Sequence, residues 1–215
     1  MDIPRKNIYE LQNFFKNIPY DTRRWYRIYW QHQTPTTSRQ RWQKWLFATA
    51  SIHTGWENNV AQYNALKDTK GKITLEEIAS KITSGGMQNR KAKLIKNICD
   101  TKAYDSLPTN NNWADWRDYH REQLWGIGNA KISFTAELMD PLNCDIICID
   151  RHILHAFGQN KEKAPPLHEY LEMEDIWKYL SNSIDISPVL ARFIYWDCHI
   201  QNKTNSKYWS QILES

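Results

Sequence analysis

The sequence predicts an all-α protein. Apolar residues recur at three- and four-residue spacing along most of the chain, and no alternating apolar–polar run of useful length appears. The punctuation agrees: Thr74-Leu75-Glu76-Glu77 has the form of a capping box, Pro19 follows a helical run, and Pro188 suits the first turn of another. Cys144 to Ile149 is the one β-branched run, and there are no internal repeats.

Taken in order, Ile8, Leu11, Phe14, Phe15 and Ile18 mark a helix over 8–18. Residues 21–33 mix arginines with aromatics, a surface that covers a phosphate backbone or packs as an amphipathic helix with snorkelling arginines. Thr34 to Ser38 is a loop and N-cap region before a long helix over 39–51, with Trp42, Trp45, Leu46 and Thr49 on one face. Residues 57–66 continue helical. The helix opened at Thr74 runs through Ile78 and Ile82 to the Gly85-Gly86 break. In the next, Met87, Leu94, Ile95 and Ile98 are expected inward and the lysines of 88–96 outward. Trp113 to Gln123 and Ala130 to Met139 are two helical patterns separated by Gly126-Ile127-Gly128. A short helix over 152–157 ends at Gly158, a polar linker spans 159–166, and two helices follow near 174–180 and over 188–201.

At 215 residues the chain can bury a core in one domain or two intimate lobes. Its net charge is only +4, yet residues 1–50 hold nine Lys/Arg against three acids, and residues 81–102 hold six against Asp100 alone. Such clusters suit a polyanion, as they also suit a solvated helix face. Most of the eleven tryptophans and eleven tyrosines are expected to pack a core, with some free to stack on bases. The four cysteines do not read as a disulfide framework. No window approaches ~20 apolar residues, so a soluble cytoplasmic protein is expected.

Two glycines one residue apart permit a tight reversal through φ > 0 and close approach. The turn opens directly into a helix, whose first N–H groups attract phosphate. Helix, Gly-x-Gly turn and helix grip a nucleic acid backbone without reading its bases.

Leu124-Trp125-Gly126-Ile127-Gly128-Asn129-Ala130-Lys131, with Ile149-Asp150-Arg151-His152-Ile153-Leu154 about twenty residues on, resembles the helix-hairpin-helix (HhH-GPD) DNA glycosylase superfamily. The wording is nearest to 8-oxoguanine DNA glycosylase/lyases of archaeal type. The resemblance covers roughly residues 40–160 in recognisable segments. It implies a two-lobed helical fold with its hairpin motif at 113–139. Residues of about 40–130 would form a six-helix-type lobe with most of the hairpin, and 1–40 with 140–215 the second lobe of one domain. The implied partner is double-stranded DNA carrying a damaged or modified base, bound by a monomer. The resemblance implies no cofactor and no metal. The four closely spaced C-terminal cysteines that hold an iron–sulfur cluster in some members are absent, and Cys144, Cys148 and Cys198 offer a zinc site as the alternative.

Carried over residue by residue, Trp125, Gly126, Ile127, Gly128, Asn129 and Arg151 would meet DNA. Ser51, His53 and Thr54 stand where the family carries a Ser-x-Gln-Thr-like segment, so His53 and Thr54 join that set. Asp150 is the candidate carboxylate for the positive charge that builds on the sugar as an N-glycosidic bond breaks, or a plain N-cap. Lys131 is the candidate amine nucleophile. The family places that lysine two residues after the second glycine, where Ala130 stands here. A one-residue shift turns a helical side chain by about 100°. Lys131 then either reaches the site through an extra turn residue or only touches phosphate. Trp125 replaces the usual proline. The expected activity is excision of a flipped base such as 8-oxoguanine, with or without strand cleavage. The alternatives are a phage-type enzyme modifying thymine-derived bases and a non-catalytic DNA-binding module.

Overall fold

The computed structural model describes residues 3–69, 73–82, 87–159 and 164–200. Among them there are helices and no strand. The chain divides into two compact units, one of Pro35–Met139 and one of Met1–Thr34 with Asp140–Ser215.

The continuous unit is built on α3 (Ser38–Ala50), which packs against α4 (Trp56–Leu66), α6 (Gln88–Thr101) and α8 (Asn129–Met139). Thr37 starts α3 with a reciprocal capping box to Gln40. From Lys44 to Ala50 every residue of α3 is buried, as is Trp42, so the helix is the axis of its unit. Trp45 meets Trp116 and His120 of α7 (Trp113–Gln123), while Phe47 meets Trp56, Tyr63 and Phe134. The box at Thr74 starts α5 (Leu75–Lys81) with both of its hydrogen bonds made. The Gly85-Gly86 break lies outside the described residues.

In α6 two expectations are corrected. Met87 is exposed and sits ahead of the helix in left-handed backbone, at φ 69°, so it cannot contribute to the inward face. Lys91, expected outward, is fully buried because the end of α3, the turn after it and α4 each offer its amine an oxygen.

The discontinuous unit contains α1 (Arg5–Lys16), α2 (Tyr20–His32), α9 (Arg151–Ala156), α10 (Leu167–Asn182) and α11 (Pro188–Tyr195). Its core stacks Trp30 on Phe193 at 4.0 Å between centroids and sets Phe15 edge-on to Trp177. Tyr26 donates to the buried Asp197, and Asn7 donates to Ala156 O at 3.1 Å. α10 is longer than the 174–180 expected. Tyr170, Met173, Trp177 and Leu180 do recur at helical spacing, but Glu174 is buried among them and interrupts the apolar pattern. The last helix is α-helical only to Tyr195 and continues as a π turn over Trp196–Ile200. Gln201 and the linker residues 160–163 lie outside the described residues.

Candidate functional site

α7, the turn at 124–128 and α8 form a helix–hairpin–helix. Leu124 and Ile127 are buried and anchor the turn, whereas Trp125 is 62 % exposed. Gly126 has φ +82°, the conformation glycine was expected to supply. Gly128 does not, and a Cβ added there would meet nothing within 4 Å, so its glycine is not required by the free fold. Its carbonyl accepts from Lys131 N at 3.0 Å and Ile132 N at 3.2 Å, which starts α8.

The hairpin is braced from α6. Arg90 Nη2 donates to Gly126 O at 3.0 Å, and its guanidinium lies 6.0 Å from the Trp125 ring centroid. Asn97 Oδ1 accepts from Trp125 N at 3.4 Å. Asn129 is half-buried, and its Oδ1 has no protein partner.

Lys131 leaves α8 half-buried; its Nζ lies 5.5 Å from the Phe134 ring centroid and donates to Ser51 Oγ at 2.8 Å. Ser51 Oγ spends its own proton on Ala48 O at 2.7 Å, so the hydroxyl faces Lys131 as an acceptor. The turn after α3 has the same logic one step further on. Thr54 Oγ1 donates to Ile52 O at 2.8 Å and accepts from Lys91 Nζ, which also donates to Ala50 O at 3.1 Å and Gln62 Oε1 at 3.3 Å. Thr54 is therefore turned into its unit. Between Ser51 and Thr54, His53 stands exposed in left-handed backbone, at φ 46°. Burial, and secondly the charge of Lys131, push the Lys91 amine down to about 8.

In the discontinuous unit the run 146–149 is buried without pairing in a sheet. α10 satisfies its backbone instead. Ile147 N donates to Glu174 Oε1 at 2.9 Å, Ile149 N donates to Tyr170 Oη at 3.1 Å, and that hydroxyl donates to Ile147 O at 2.6 Å. This segment delivers Asp150 to the start of α9. Asp150 Oδ1 accepts from His152 N at 2.9 Å and Ile153 N at 3.0 Å, the N-cap arrangement. Arg151 is exposed. His152 lies edge-on to Trp196 at 4.8 Å, and burial lowers its basicity against the opposing pull of Asp150.

Among the described residues no three His, Cys, Asp or Glu are grouped to hold a metal ion. No helix among them is long and apolar enough to cross a membrane.

No family model matches the chain, and no curated protein matches it in sequence. Two solved structures do match in fold. One is the 8-oxoguanine glycosylase/lyase of Methanocaldococcus jannaschii in complex with a 15mer DNA containing 8-oxoguanine, at TM-score 0.68 and 17 % identity, over 91 % of this chain and 96 % of that one. The other is a structure of the 8-oxoguanine DNA glycosylase of the same organism, at TM-score 0.63 and 16 % identity, over 88 % and 92 %. The chain shares their all-helical fold.

The structure thus groups Lys131, Ser51 and Thr54 around the end of α3 and sets Trp125 and Gly126 on a braced turn. Four residues that sequence reasoning did not single out hold these elements in place: Arg90 and Lys91 from α6 brace the hairpin turn and the turn after α3, and in the other unit Tyr170 and Glu174 from α10 hold the segment that leads to Asp150. A lysine at an inward helical position and a glutamate inside an apolar stripe were the available signals.

Proposed function

We propose that this protein is a DNA glycosylase with lyase activity, acting on a base flipped out of double-stranded DNA. The observation that carries the reading is Lys131. Its amine is drawn back from the hairpin surface to Ser51, a placement suited to a nucleophile and poorly suited to a phosphate contact. The nearly full-length likeness to an 8-oxoguanine glycosylase/lyase supports the same reaction class.

In this reading the hairpin and the exposed Trp125 and His53 meet the DNA backbone and the gap left by the flipped nucleotide, and Arg151 meets phosphate. Asp150 offers its second oxygen to the positive charge that builds on the sugar as the base departs. The Lys131 amine attacks C1′ as the glycosidic bond breaks; the electron pair of that bond leaves with the base, which takes the proton that the amine sheds. The C1′–O4′ bond then breaks, its electron pair leaving on O4′, which takes up a proton from solvent, and a protonated imine between C1′ and Nζ remains. Loss of a proton from C2′ expels the 3′ phosphate and cuts the strand. Among candidate bases 8-oxoguanine is the first choice, since the likeness is to enzymes of that substrate.

The test is borohydride trapping on duplex oligonucleotides carrying 8-oxoguanine, uracil, thymine glycol or hydroxymethyluracil. A covalent adduct that disappears in Lys131→Gln is the expected result. Free base without an adduct would leave a monofunctional enzyme. Binding with neither product would move base modification or a non-catalytic binding module to the front.

A further inference from the structure

Lys91 is electrostatically coupled to Lys131, and this reaction scheme leaves it unused. It is fully buried, which for a lysine is costly unless its charge is matched by acceptors. Here all three of its protons have oxygen partners: Ala50 O, Thr54 Oγ1 and Gln62 Oε1.

Two of these partners flank one short turn. Ala50 ends α3, Thr54 closes the turn, and between them lie Ser51, which holds Lys131, and His53, whose left-handed backbone costs about 1 kcal/mol for a residue with a Cβ. A strained conformation of this kind persists only where its surroundings over-determine it. The Lys91 ammonium is what clamps both ends.

We propose that Lys91 is a positioning residue for the Lys131 amine: it staples the Ala50–Thr54 turn and, through Ser51, sets where Lys131 Nζ lies. The catalytic part of this inference rests on the reading of Lys131 as nucleophile. The part concerning position does not.

The charge state of Lys91 matters to the staple, because a neutral amine has two protons for three oxygens. The titratable group facing it is Lys131 on α8, and what it meets from α3, the turn and α4 is neutral. With an amine that titrates near 8, the staple is complete below that pH and weakened above it.

The experiment compares wild type, Lys91→Met and Thr54→Val by single-turnover borohydride trapping between pH 6.5 and 9.5, with DNA affinity and melting temperature measured alongside. Misplacing a reacting group by about 1 Å can cost about 100-fold. The expected result is a trapping rate reduced by 10-fold to 100-fold in Lys91→Met at pH 6.5, at unchanged DNA affinity. The ratio of wild-type to variant rates then shrinks as pH passes about 8. The same ratio taken with Thr54→Val, which keeps the Lys91 charge, separates the staple from that charge's direct effect on Lys131. A constant ratio, or a rate equal to wild type, overturns the proposal.

Crystal structures of the two variants read the position without activity. Displacement of Lys131 Nζ from Ser51 Oγ supports the staple, and retention of the 2.8 Å contact overturns it. Should wild type give no adduct on any substrate, the functional reading fails while the structural comparison still decides the role of Lys91. Should Lys91→Met fail to fold, Thr54→Val, which deletes one acceptor at constant volume, carries the same test.

Discussion

Asp150 Oδ2 stands 3.9 Å from Nη1 of Arg192, a guanidinium buried to 2 % exposure. The other oxygen of the same carboxylate caps α9. One side chain thus has a structural oxygen and an oxygen held near a buried cation. The two tasks separate by substitution. Asparagine still accepts the two backbone hydrogen bonds, so Asp150→Asn is expected to fold and to bind DNA while base release falls at least 100-fold. Asp150→Ala loses the cap as well, and its melting transition should show a further loss of about 1 kcal/mol. Wild-type turnover by Asp150→Asn would exclude the carboxylate from the chemistry.

The two hairpin glycines are expected to respond differently. Gly126→Ala must place a Cβ at φ +82° and 3.3 Å from Arg90 Nε, so it should cost about 1 kcal/mol of stability before any DNA is added. Gly128→Ala meets open space in the free protein and should melt as wild type. If a phosphate approaches that backbone, the same methyl weakens DNA binding by about tenfold, or 1.4 kcal/mol. Calorimetric melting and a DNA titration on both variants check the pair. Equal DNA affinity in Gly128→Ala and wild type would remove Gly128 from the contact surface.

Lys44 illustrates a charge buried without compensation. It lies in the middle of α3 at 4 % exposure, and among the described residues no hydrogen bond or ion pair engages it. Burial pushes its amine down to about 7 from 10.5. Between these values the unfolded chain binds the proton and the folded chain releases it, so this group makes stability rise with pH. Below pH 7 the full penalty of burying the charge is present. Lys44→Met should therefore raise the melting temperature by several degrees at pH 6, with the gap narrowing toward pH 10. A gap that is constant across that range would mean that the gain is packing and not charge.

Much of the fold was legible because helix signals are local. The capping box at Thr74 formed as written, and the Trp42, Trp45 and Leu46 face is buried. Legibility failed where a polar residue entered an apolar position. Lys91 reads as surface until Ala50, Thr54 and Gln62, distant in sequence, supply its oxygens, and Glu174 hides the length of α10 until Ile147 N is found as its partner. The run 146–149 has strand composition yet joins no sheet, because side chains of α10 take the place of a neighbouring strand. The one-residue offset of Lys131 has the same character. Sequence spacing gives the direction of a side chain about its helix, whereas its end point is decided by the Ser51 hydroxyl, eighty residues away.

His120 provides the acid counterpart to Lys44. Its ring is buried edge-on against Trp45 and Trp116, neither nitrogen has a protein partner, and burial pushes its pKa down to about 4 from 6.5. As pH falls from 6.5 the unfolded chain takes up a proton that the folded chain refuses until about pH 4, so stability drops across that window. At 1.36 kcal/mol per unit the loss reaches about 3 kcal/mol by pH 4. His120→Phe keeps an aromatic ring of similar shape for both tryptophans and removes the titration. Denaturant melts at pH 7, 5.5 and 4 should then show the variant close to wild type at pH 7 and progressively more stable below it. A variant that loses stability in parallel with wild type on acidification would place the acid-sensitive group elsewhere in the chain.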